Sequence, residues 1–145
     1  MAGLESITIL KDKSKNPLEV ETEYVCFCFG DTDIFTDTLE KYLGPSCLYS
    51  DCLYRSKYGM VPEYYPSYHL NFIEKNIINS PSLCKVEYLK RINFQFDPDI
   101  NLLTNYEILM KCRHKTIPHH IPEFCFLMDR PEGQISTELT KIRQL

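Results

Sequence analysis

Between Cys84 and Lys115, apolar and polar residues alternate in two runs separated by Asp97-Pro98-Asp99, and this alternation constrains the chain more than any other feature. Cys84, Val86, Tyr88, Ile92, Phe94 and Phe96 fall on one face of an extended strand, broken only by Lys90, while Lys85, Glu87, Arg91, Asn93 and Gln95 take the other. After the turn, Tyr106, Ile108, Met110 and Cys112 alternate with Asn105, Glu107, Lys111 and Arg113. Closing the pair near Ile100 sets Ile92 opposite Ile108, Phe94 opposite Tyr106 and Tyr88 opposite Cys112, with Glu87 meeting Arg113 on the outer face. The pattern predicts a long amphipathic β-hairpin.

The remaining segments fit around it. Ser6–Leu10 and Leu18–Phe29 read as a second hairpin, the latter run turning apolar on both faces from Val25 onward. Gly30-Asp31-Thr32 offers N-cap residues for a helix over about 33–43, with Ile34, Phe35, Leu39, Tyr42 and Leu43 on one side and Gly44-Pro45 as the stop. From Cys47 to Tyr68 the pattern dissolves into a tyrosine-rich stretch with prolines at 62 and 66, read as an irregular excursion over 45–68. Tyr68, Leu70 and Phe72 suggest a short edge strand, and Glu123–Met128 a further strand after the turn-rich Ile117–Pro122. Ile135, Leu139 and Ile142 stand at helical spacing and predict a terminal helix over about 136–144. The fold class expected is α+β: one domain over residues 1–145, with a largely antiparallel sheet of about five or six strands packed with two helices.

Charge and composition narrow the function. A net charge of −4 points away from nucleic acid as the main partner. Lys85, Arg91, Lys111, Arg113 and Lys115 would nevertheless gather on the outer face of the predicted hairpin, beside Leu89 and Leu109. Five glycines leave no glycine-rich phosphate loop. The first residues lack the basic and apolar run of a signal peptide, and no apolar run of membrane-spanning length follows. Seven cysteines in that context read as reduced thiols, and the location expected is cytoplasmic, with the nucleus as the other compartment that fits.

Two constellations carry chemistry. Residues two apart on a strand share a face, so Cys26 with Cys28, and Cys112 with His114, can each offer two ligands to one point. Thiolate and imidazole donors are what zinc takes, although the spacing matches no standard zinc motif and buried cysteine also serves as a small core residue. Cys47 and Cys52, with His69, His114, His119 or His120, offer the residue types of a cysteine nucleophile without its local signature.

The second constellation is the tyrosine-rich stretch, whose side chains combine large area with a polar tip. The function expected is a non-enzymatic protein-interaction module contacting its partner through Tyr54, Tyr58, Tyr64, Tyr65, Tyr68 and Leu70, with no cofactor. A zinc-supported structural or hydrolytic protein using the Cys/His set is the alternative, and self-association through an exposed edge strand a third reading. Tyr65-Pro66-Ser67-Tyr68-His69-Leu70 is similar to the YPxxxL peptides by which viral Gag and matrix-type proteins recruit the ESCRT adaptor ALIX. That resemblance implies a presented Tyr65 and Leu70, and a small viral accessory or matrix-like protein. The competing reading is that both side chains pack onto the domain.

Overall fold

The computed structural model describes residues 6–65, 67, 77–130, 133 and 135–145. Among the described residues seven strands form one mixed sheet: β1 (Ile7–Leu10), β2 (Tyr24–Phe27), β3 (Thr32–Ile34), β4 (Cys47–Ser56), β5 (Gly59–Glu63), β6 (Ser82–Lys85) and β7 (His119–Met128). The four α-helices among the described residues are α1 (Thr36–Glu40), α2 (Val86–Arg91), α3 (Thr104–Cys112) and α4 (Ser136–Ile142). Strands run in the order β1-β2-β6-β4-β7-β3, with β5 paired to β4. The α+β class is as the sequence implies, but two pairs, β1 with β2 and β4 with β7, are parallel.

β4 organises the sheet. Its first residues pair with β6, its last five with β5, and nearly its whole length with β7. Cys47 to Cys52 are all buried, as expected of a strand covered on both faces. This corrects the irregular excursion expected over 45–68: the segment is a hairpin whose two-residue turn, Lys57-Tyr58, hands over to Gly59 at φ +120°. A strand buried on both sides loses the polar alternation by which strands are recognised. The edge strand expected over Tyr68–Phe72 lies outside the described residues.

The predicted hairpin over Cys84–Lys115 does not form. Only Ser82–Lys85 is strand; the chain then turns into α2, wanders from Ile92 to Leu103, and continues as α3. The physical reason lies in α3, where eight of nine residues are buried, Glu107 and Leu109 as well as Tyr106, Ile108 and Met110. A helix enclosed on nearly every side shows no one-sided stripe, and its alternate residues imitate a strand. Leu89 and Leu109, expected on an outer face, are both fully buried. α2 ends in a Schellman motif: Asn93 adopts φ 52°, its N–H donates to the Lys90 carbonyl at 3.0 Å, and the Phe94 N–H donates to the Leu89 carbonyl at 3.0 Å.

Ser6–Leu10 and Leu18–Phe29 do not make a hairpin, because β1 and β2 lie parallel, connected through a 3-10 turn at Pro17–Glu19. The helix expected over 33–43 shortens to Thr36–Glu40, since Thr32–Ile34 pairs with Met128, Leu127 and Phe126 of β7. His119 and His120 belong to β7, not to a loop. β7 carries a bulge beside Ser50 and Asp51 of β4, where Pro122 cannot donate to the ladder. The terminal helix appears as Ser136–Ile142.

Candidate functional site

The four sequence-predicted metal ligands do not converge. Cys26 and Cys28 do share a face, with Sγ atoms 3.4 Å apart in a fully buried position. Burial and the neighbouring Cys28 sulfur hold the Cys26 thiol well above its ordinary range, the sulfur contact being the larger cause. His114 is exposed, with Nε2 3.3 Å from an Arg113 nitrogen. Cys112 turns to other partners.

Those partners are Cys47 and Cys84. Cys47 opens β4 and stands directly across the antiparallel ladder from Cys84 of β6, while Cys112 closes the last turn of α3 above them. The Sγ of Cys84 lies 3.7 Å from that of Cys47 and 4.0 Å from that of Cys112, and all three sulfurs fall within 4.8 Å of one another. None of the three residues is exposed to solvent. The Cys84 thiol donates to the Cys47 sulfur, and in its contact with Cys112 either sulfur can donate. These sulfur contacts hold the Cys47 and Cys84 thiols well above the ordinary range and Cys112 well below it. The Tyr88 hydroxyl closes one side, donating to the Cys112 carbonyl at 2.6 Å. Burial chiefly, then the three sulfurs, push that phenol up to about 12.

The tyrosine set divides. Tyr54 and Tyr65 are core residues, their hydroxyls 3.3 Å apart, and the Tyr65 N–H donates to Asp51 Oδ1 at 2.8 Å. In this fold Tyr65 is therefore not presented as the YPxxxL resemblance requires. Tyr58 and Tyr64, by contrast, are 88% and 70% exposed, and Met60 is 62% exposed between them. Tyr68 and Leu70 lie outside the described residues. Met60 stands opposite Arg55, and Pro62 opposite Leu53, which faces Leu127 across β7, so these side chains share the outer face of the sheet. The Tyr64 ring extends that face onto Phe124, centroid to centroid 5.3 Å.

A third arrangement was not foreseen. His120 Nε2 lies 2.8 Å from Asp51 Oδ1, both side chains 7% exposed, and the Tyr49 ring covers the imidazole at 5.2 Å. An Asp-oriented His is half of a general-base pair. Here the same carboxylate oxygen also takes the Tyr65 N–H, so the pair ties the hairpin to β7. The sequence signal, two acidic and imidazole side chains separated by 69 residues, exists only once β4 and β7 are known to be neighbours. The chain matches no model of a known protein family and no curated protein.

Proposed function

We propose that the protein is a non-enzymatic protein-interaction module whose contact surface is the outer face of the β4–β5 hairpin. The observation that carries this is that four of the five large hydrophobic side chains exposed among the described residues stand on this hairpin: Met60 and Tyr64 on its outer face, Tyr58 in its turn, and Val61 on the other face beside Tyr54. Clustered exposed apolar side chains mark interaction surfaces, whereas scattered ones need no explanation. Tyrosine supplies contact area at small entropic cost, and Arg55 rims the patch with a charge already paired to Asp33 and Asp129.

The mode of contact is side chain to side chain rather than strand addition. Among the described residues β5 pairs only with β4, and Pro62 within the strand weakens its other edge as a template for another strand. Replacing Tyr58 or Tyr64 by Ser removes contact area at positions that pack little. The expected result is a melting temperature changed by no more than a few degrees, with loss of a partner that the unmodified protein retains and that Lys90→Ser, on α2, also retains. Retention of the partner by both tyrosine variants, or loss of folding in either, contradicts the proposal.

A further inference from the structure

The geometry points to a metal site that the hairpin reading does not involve: Cys47, Cys84 and Cys112 form a buried three-sulfur site for a thiophilic d10 cation. Among the described residues no imidazole or carboxylate joins the three sulfurs within 4.8 Å. Soft thiolates select copper(I) and zinc over the oxygen-seeking cations.

Distances carry the inference. Three sulfurs each about 2.3 Å from a central ion lie about 4.0 Å from one another when the ion sits in their plane, and slightly closer when it rises above it. The Sγ of Cys84 is 3.7 Å from that of Cys47 and 4.0 Å from that of Cys112, and the third edge is within 4.8 Å. Ordinary thiol packing needs no such three-way convergence: Cys26 and Cys28 also touch at 3.4 Å, yet they assemble no third ligand within the same limit among the described residues.

The scaffold also holds the ligands rigidly. Cys47 and Cys84 are fixed by the β4–β6 ladder, where the Lys85 N–H donates to the Ser46 carbonyl at 2.9 Å immediately beside the pair. Cys112 is held through its carbonyl by Tyr88, whose own side chain is buried on α2. Binding replaces thiol protons by the ion: each sulfur that coordinates releases its proton to solvent, and no electron is transferred. Because the site is closed, the ion enters during folding or a transient opening of α3.

The test uses the full reduced chain and cadmium(II) alone as probe, added both to the folded protein and during refolding from urea. A saturable ultraviolet thiolate-to-cadmium band at one equivalent per chain is expected in at least one of the two, with a raised melting temperature. Cys26→Ser and Cys28→Ser should keep the band; Cys84→Ala and Cys112→Ala should lose it. Zinc-edge X-ray absorption of the unmodified protein, which does not depend on any variant folding, should give three sulfur neighbours at about 2.3 Å. Competition by copper(I) and zinc(II) against cadmium distinguishes the two sources of this chemistry. No saturable band after refolding, a band that survives Cys84→Ala and Cys112→Ala, fewer than three sulfurs around zinc, or displacement by neither ion overturns the proposal.

Discussion

Glu138 caps the helix that begins beyond Leu102: its Oε1 accepts the Leu102 N–H at 2.8 Å, and the Asn101 and Leu103 N–H groups at 3.0 Å each. The residue at the N-cap of α3, Leu103, has no side chain able to do this, so α4 supplies the acceptor from 35 residues away. Lys141 on the same helix binds Asp97 and Asp99 at 2.8 Å and 2.9 Å, closing a second link to the loop before α3. Glu138→Ala is expected to cost about 1–3 kcal/mol, because Leu102 and Leu103 are too enclosed for water to replace the lost acceptor fully. Glu138→Gln keeps an oxygen there and should recover most of that loss. Urea denaturation of the two variants checks this; equal stabilities would show that the cap contributes nothing.

Leu109 separates the observed helix from the hairpin that the alternation suggests. On a strand it would face solvent and tolerate truncation, but in α3 it is fully buried. Leu109→Ala should therefore destabilise the protein by about 2–5 kcal/mol. An unfolding midpoint like that of the unmodified chain would favour the strand.

Alkaline pH should loosen the core from within. Burial pushes the Cys52 thiol up to about 12 and the Cys125 thiol up to about 11, from an ordinary 9.0. Above that ordinary value the unfolded chain binds fewer protons than the folded one, so stability falls with rising pH. The contribution is complete below about pH 9 and is lost as the pH climbs through about 11 and 12. Urea midpoints measured across this window should decline, and Cys52→Ala combined with Cys125→Ala should flatten the decline whatever it does to the starting value. A slope unchanged in the double variant would place the titration elsewhere.

The Asp51–His120 contact should behave as a brace. Asp51→Ala strands both the Tyr65 N–H and the imidazole in a nearly closed site, at an expected cost of about 1–3 kcal/mol. His120→Ala leaves the Tyr65 N–H satisfied and should cost less. The reverse order, read from thermal unfolding of both variants, would contradict that division of roles.

How much of this was legible depended on how each element is covered. α4 was readable because only one stripe of it, Ile135, Leu139 and Ile142, meets the core. α3 was not, because it is enclosed, although Glu107 and Lys111 stand four apart and pair at 2.7 Å, and Glu87 and Arg91 do so at 3.3 Å. That spacing, and an Asn at position 93 able to take the left-handed conformation, were the helical signals outweighed by the alternation. In β4 the echo of Cys-Leu-Tyr at 47–49 and 52–54 has a period of five, which sends Cys47 and Cys52 to opposite faces. One joins the three-sulfur cluster; the other lies against the Phe126 carbonyl at 3.7 Å. No local pattern foretells that sorting, since it rests on β4 pairing with β6 across 37 residues.

The most direct test of the hairpin as a contact surface is site-specific photo-crosslinking. A benzoylphenylalanine probe replaces Met60 on β5 in one sample and Lys90 on α2 in another, both exposed positions. A contact through the outer face of β4–β5 gives a discrete adduct of defined mass from position 60 and none from position 90, and the adduct disappears when Tyr64→Ser is added. Equal labelling from both positions, or no discrete adduct from position 60, would contradict it.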